Sequence, residues 1–370
     1  MFPFADPLSG TIARRWDAMT PDRFYSSRPW LAVCAAMSTG PVGAVTAELP
    51  GGGLAALPVS VVSGVSQSFY DWNAALSARG LPELPSFGLL AGPASGYQSH
   101  LLATPGADRC EVAAGLRAAL DDVGLPAVVM FLGTPDAAAL AEAGVTAPPV
   151  LINADAWLPI PEGGWEAWTS SLGRRRREMV RRDVRRFEAA GYEVADEPLS
   201  DWVKTAATLL EATESRYGHR GDYLRWLTTQ VRHLGPAARV ILCRPPGEPP
   251  VGHVLYYVHG DTLYLRSAGF DYARLRGAAE YFALVFYLPV QRAIAAGARW
   301  VHAGIESTRA KALRGAELRP LWLMDLSRDS PLDGQAAAVR AANSRTLAAL
   351  AEAPFVTRSL RLDGTADWFA

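Results

Sequence analysis

Between Trp165 and Ala190 the apolar residues Trp168, Leu172, Val180, Val184 and Phe187 recur at intervals of 4, 8, 4 and 3. That rhythm predicts one long helix with a single apolar stripe, stopped by Gly191 just past its end. Helical spacing also predicts residues 11–21 and 28–38, Cys110–Val123, Pro135–Ala143, Leu199–Tyr217, Tyr223–Leu234, Gly277–Ala296 and Asp333–Ala353, with Lys311–Leu313 as a short turn of helix. Pro289 is expected to kink the helix that contains it. Short β-branched or apolar runs predict strands at Gly43–Glu48, Leu54–Val62, Pro126–Leu132, Pro149–Ile152, Tyr192–Ala195, Ala238–Cys243, Val251–Val258, Thr262–Ala268, Trp300–Gly304 and Leu318–Leu326. Glycines 51–53, Glu248-Pro249-Pro250 and Gly260-Asp261 supply turns. Residues 66–105 read as loop with short pieces of strand, and residues 156–164 as a linker or crossover rich in Pro and Gly. The picture is an α/β (α+β) chain in two halves, 1–160 and 161–370, with no internal repeat legible in the residues.

Composition narrows the class. A chain of 370 residues is long enough for two domains, and 49% apolar residues suffice for buried cores. With 36 basic against 37 acidic residues the net charge is −1, which argues against coating of DNA. Cys34, Cys110 and Cys243 are far apart and odd in number, and no Cys/His spacing suits a metal, so neither a disulfide framework nor a metal site is expected. The N-terminus lacks the charged start and apolar core of a signal peptide. No apolar run reaches the roughly 18 residues of a membrane span. The expectation is a reduced, cytoplasmic, soluble protein.

The chemistry concentrates where a strand, a polar turn and a helix succeed one another. Thr262–Ala268 leads through Gly269-Phe270-Asp271-Tyr272 into Arg274-Leu275-Arg276-Gly277-Ala278-Ala279. Free N–H groups at a helix start, small residues and two arginines suit a phosphate. The alternative is a helix start whose glycine and alanines merely allow close packing. The pattern Arg-x-x-Gly-x-Ala resembles the pyrophosphate loop of GNAT acyltransferases, which implies acyl-coenzyme A as co-substrate, held by Arg274, Arg276, Gly277, Ala278 and Ala279. The second cluster is the arginine-rich helix, with eight arginines between Arg174 and Arg186. It reads either as a solvated charged face, partly neutralised by Glu178, Asp183 and Glu188, or as a contact for an anionic donor: coenzyme A phosphates or the acceptor stem of a tRNA.

Three stretches together resemble the Fem-type and cellulose-associated tandem GNAT proteins: the run from Ser171 to Gly191, the opening RFYSSRPWLAVC at residues 23–34, and Gly304-Ile305-Glu306…Ala310-Lys311…Arg314-Gly315-Ala316. The resemblance implies two tandem GNAT-like domains, each a mixed, mainly antiparallel sheet flanked by helices, the first without a donor loop. It implies N-acyl transfer by direct attack of an amine, with Ser267 and Ala268, together with Gly269, facing the acyl carbonyl. The donor it implies is acyl-coenzyme A or, as in Fem-type ligases, aminoacyl-tRNA. The loop motif and the lack of an inserted coiled-coil arm lean toward coenzyme A. The acceptor is a small-molecule or peptide amine.

Amide formation needs a neutral, positioned amine and a stabilised oxyanion. Glu306, just past the Trp300–Gly304 strand, is the candidate general base, and Lys311 the candidate contact to phosphate or a substrate carboxylate. A helix-end carboxylate and a surface lysine are the structural alternatives. Tyr256 and Tyr257 lie on one strand, so one of them should point inward. A Ser267 hydrolase using His253 or His259 lacks a Gly-x-Ser-x-Gly elbow. A non-catalytic protein on the same fold remains the third class.

Overall fold

The computed structural model describes residues 4–9, 12–63 and 68–370. Thr11 and residues 66–67, which carry part of the expectations above, lie outside them. In chain order the elements are α1 (Ile12–Met19), α2 (Arg28–Met37), β1 (Val42–Leu49), β2 (Gly53–Ser63), α3 (Trp72–Ser77), β3 (Phe87–Ala91), β4 (Leu102–Ala103), α4 (Arg109–Val123), β5 (Ala127–Gly133), α5 (Thr134–Glu142) and β6 (Val150–Pro159). There follow α6 (Gly164–Ser171), α7 (Arg174–Ala189), β7 (Glu193–Pro198), α8 (Leu199–Arg216), α9 (Tyr223–Leu234), β8 (Arg239–Arg244), β9 (Gly252–His259), β10 (Thr262–Phe270), α10 (Glu280–Phe282), α11 (Leu288–Ala295), β11 (Trp300–His302) and α12 (Thr308–Leu313). The chain closes with β12 (Glu317–Asp325), α13 (Ala336–Leu350) and α14 (Pro354–Thr357).

Two compact units result, residues 1–155 with 318–370, and residues 156–317. In the first, strands run β1-β2-β3-β5-β12, with β3 parallel to β5 and the other neighbours antiparallel. In the second, β7-β8-β9-β10 form an antiparallel meander, β10 runs parallel to β11, and β11 pairs with the last residues of β6. The expected halves 1–160 and 161–370 meet near the observed junction, but the tail from Leu318 onward packs with the first unit. The reason is strand pairing: β12 joins β5, and Asn343 of α13 bonds Pro149 O, Leu151 N and Trp368 O at 3.0, 2.8 and 2.8 Å. Trp322 meets Trp368 edge-on at 4.6 Å.

Several local expectations change. Residues 156–159 are strand, not linker; Ala156, Trp157 and Leu158 are buried, and Trp157 packs on His302 at 4.8 Å. The long helix from Trp165 is broken at Leu172 and Gly173, both extended. There the Arg177 guanidinium donates to Thr169 O, Ser170 O and Leu172 O, satisfying the carbonyls that end α6. The helix expected from Gly277 begins at Glu280, behind Ala279 at φ +64°, and carries a π turn over Ala283–Tyr287. Pro289 has no N–H to offer the preceding turn, which widens instead of kinking. In the loop 68–105, Asp71 caps the unforeseen α3 by accepting from Ala74 N at 2.9 Å. The glycine turn holds, with Gly51 and Gly52 at φ +78° and +84° between the paired ends of β1 and β2.

Helix α8 lies hard against the end of β10. A Cβ at Gly269 would stand 2.5 Å from Leu209 C and Leu210 N, both backbone atoms that cannot rotate aside. Gly269→Ala is therefore expected to cost about 1–3 kcal/mol by overpacking, read as a lower urea midpoint. Facing that glycine, His253 is fully buried and neither ring nitrogen has a hydrogen-bond partner among the described residues. Burial pushes its pKa down to about 3. The folded state thus refuses a proton that the unfolded chain takes up near pH 6.5. The sign follows: stability is full above that pH and falls as pH drops from about 6.5 toward 3. His253→Leu should flatten the acid limb of the stability curve by about one proton's slope, close to 1.4 kcal/mol per pH unit. An acid limb identical to the parent's would contradict this.

Candidate functional site

The site is built where β10 loses a neighbour. β10 and β11 pair only at Thr262–Tyr264 with Trp300–His302, whereas β10 continues to Phe270. Beyond Tyr264 one edge of β10 has no neighbouring strand among the described residues, while the other stays paired with β9. The ladder to β9 slips between Leu265 and Ser267, a bulge that re-aims the backbone at this point. Ser267 and Ala268 are half-buried on this open stretch, and Ser267 Oγ is a buried group with no hydrogen bond among the described residues. Next to them the Arg266 guanidinium stands 5.0 Å from the Trp226 ring. An open strand edge presents alternate backbone N–H groups, the donors an oxyanion requires.

The loop that follows converges on the carboxyl group of Glu280, at the first residue of α10. Glu280 is 3% exposed. It accepts from Arg276 N at 2.7 Å, from Ala278 N at 2.7 Å and from Tyr192 OH at 2.8 Å. Burial and the bond to Glu280 push the Tyr192 hydroxyl up to about 12, so it stays a donor across the physiological range. Gly277 at φ +66° and Ala279 at φ +64° bend the chain around this carboxyl. The Arg276 side chain donates to Ala190 O at 2.8 Å and lies over Tyr192, while Arg274 pairs with Glu248 at 2.8 Å. The loop residues expected to hold a donor phosphate are thus brought together around Glu280, and Arg276 N and Ala278 N donate to it.

Glu306 lies on the loop after β11, and Lys311 follows it on α12. Glu306 and Ser307 are exposed and sit at φ +66° and +51°, consecutive left-handed conformations outside glycine. Such strain marks functional segments and persists only when its surroundings enforce it. Lys311 does so here. It is buried, and its ammonium donates to Gly304 O at 3.1 Å and to Ile305 O. Its charge therefore serves the loop backbone instead of a surface, which departs from the phosphate contact expected of it. Tyr281 hydrogen-bonds Ser307, which ties this loop to the helix that starts at Glu280.

Beneath both loops lies an ion pair that the sequence does not announce. Arg314 and Asp183 are buried, with Nη2 to Oδ2 at 3.2 Å. Tyr287 OH donates to the same oxygen at 2.8 Å, and the guanidinium stacks on Phe282 at 3.7 Å. Val180, Asp183 and Phe187 face inward on α7, and Arg174, Arg175, Arg181, Arg182, Arg185 and Arg186 are exposed. Tyr256 and Tyr257 are both buried, Tyr256 on Asp196 and Tyr257 on Gln230, because both faces of this sheet are covered. Among the described residues no group of three or more His, Cys, Asp or Glu is placed to hold a metal ion, and no helix is long and apolar enough to cross a membrane.

No family model and no curated protein matches this chain. Solved structures do. FemX superposes with a TM-score of 0.58 at 13% identity, over 85% of this chain and 96% of that one. The C-terminal domain of a putative lysylphosphatidylglycerol synthetase from Agrobacterium fabrum gives 0.53 at 13% identity, over 82% and 91%. A conserved protein of unknown function from Bacteroides thetaiotaomicron gives 0.58 at 14% identity, over 88% and 100%. The chain shares the fold of FemX and of that synthetase domain, with mixed, mainly antiparallel strands flanked by helices.

Proposed function

We propose that the protein is an amide-forming acyltransferase whose donor is an aminoacyl group carried on tRNA. The observation that carries the choice of donor is the face of α7: six exposed arginines against the exposed Glu178 and Glu188, in a chain whose net charge is only −1. A cationic face so dense suits a polyanion better than a small ligand. Arg186 reaches the loop that follows β10, its Nη2 lying 4.0 Å from the position a Gly277 Cβ would take. The fold shared with FemX agrees with such a donor.

In this reading the amine nitrogen of a small-molecule or peptide acceptor attacks the ester carbonyl. The C–N bond forms, the ester C–O bond breaks, and the ribose hydroxyl leaves with a proton. Backbone N–H groups near Ser267 and Ala268 stabilise the oxyanion, and Glu306, on its strained and clamped loop, takes the proton from the amine. Acyl-coenzyme A is the rival donor, favoured by the Arg274-x-x-Gly277-x-Ala279 pattern. Parallel titrations with aminoacyl-tRNA and with acetyl-coenzyme A separate the two. Micromolar binding of the RNA that weakens steeply with salt supports the proposal; binding of acetyl-coenzyme A alone refutes it.

A further inference from the structure

Small residues, left-handed turns and converging amides make residues 274–279 a cradle for an anion. An anion already lies in it, supplied by the chain. Two backbone N–H groups and one phenol donate to Glu280, which is almost wholly buried. A pyrophosphate entering the cradle has to displace this carboxyl from three hydrogen bonds, or stand beside it and suffer its repulsion. The loop's own arginine side chains are also committed, Arg274 to Glu248 and the Arg276 guanidinium to Ala190 O, which leaves Arg186 of α7 as the nearby guanidinium at Gly277.

We infer that Glu280 is a specificity-determining residue: its carboxyl group fills the anion position of the loop and excludes donors that carry a pyrophosphate. This deepens the proposed function, since it rests on the loop lying at the donor side of β10. It adds a reason for the donor choice that is independent of the arginines on α7. Rejection by occupation discriminates strongly, because it sets a buried charge against the wrong ligand.

The test is calorimetry and thermal-shift titration of the full chain with inorganic pyrophosphate and with coenzyme A, comparing wild type, Glu280→Ala and Glu280→Gln. Wild type should show no saturable binding. Glu280→Ala leaves the amides of Arg276 and Ala278 without their acceptor, so it should melt lower, regain stability as pyrophosphate is added, and bind at least about tenfold tighter than wild type. Glu280→Gln keeps the volume and should stay closed. Saturable micromolar binding of pyrophosphate by wild type overturns the inference, whether or not Glu280→Ala folds. A folded Glu280→Ala that gains no affinity overturns it as well. Titrating the same proteins with tRNA keeps the two ideas apart. Wild type that fails to bind RNA sinks the donor proposal while the pyrophosphate result stands.

Discussion

Replacing Asp183 by alanine is expected to destabilise the protein by about 3–5 kcal/mol, the cost of leaving a buried charge without its partner. The side chain of Arg314 is only 2% exposed, and it pairs with Asp183 at 3.2 Å. The same oxygen receives the Tyr287 hydroxyl at 2.8 Å, and burial pushes that phenol's pKa up, so it too is left as a donor without an acceptor. Water cannot substitute readily, because Phe282 and Phe286 cover the guanidinium. Urea unfolding followed by circular dichroism reads the loss. The double variant Asp183→Leu with Arg314→Met removes both charges and should recover most of it, since an apolar pair of similar size often replaces a buried ion pair without loss. A double variant no more stable than Asp183→Ala would mean that packing rather than charge dominates.

The second large effect concerns binding. Changing Arg181, Arg182, Arg185 and Arg186 together to alanine should weaken tRNA binding by a factor on the order of 10² to 10³ at moderate salt. All four side chains are exposed, and Arg182 stands 3.9 Å from Asp183, so their removal should leave the core intact. Each arginine that neutralises a phosphate adds about 0.7–0.9 to the slope of log affinity against log salt. Losing four should flatten that slope by roughly 3, which nitrocellulose filter binding from low to moderate salt would resolve. Equal affinity and slope in parent and variant would reduce the arginine face to a solvated surface.

Much of the fold was legible because its signals are local. The helix predicted over Cys110–Val123 is α4; Asp108 accepts from Cys110 N and Glu111 N to start it, and Gly124 ends it at φ +71°. The meander β8-β9-β10 was visible from its turns. Pairing was not: that β12 joins β5, carrying the tail to the first unit, depends on contacts far apart in sequence. The strand at Ala156–Pro159 was hidden by its Pro- and Gly-rich neighbourhood.

At the site, the succession of strand, polar turn and helix was legible, but the open edge of β10 and the partners within the loop were not. Glu280 sits at the start of an aromatic helical run, a carboxylate where packing would want an apolar residue, and that mismatch was the available signal. The burial of Lys311 and Arg314 was not legible, since a sequence shows charge but not burial. On α7, Arg174, Arg175, Arg181, Arg182, Arg185 and Arg186 are exposed, with Val180 and Phe187 buried behind them. Asp183 belongs to the buried side and so neutralises less of that face than its position in the sequence implied.

The most direct test of the account offers the enzyme hydroxylamine as a model amine, with either a pool of radiolabelled aminoacyl-tRNA or labelled acetyl-coenzyme A as donor. Enzyme-dependent formation of aminoacyl hydroxamate from the charged tRNA, with none from acetyl-coenzyme A, is the predicted result. Acetyl hydroxamate from acetyl-coenzyme A, with charged tRNA inert, would contradict it.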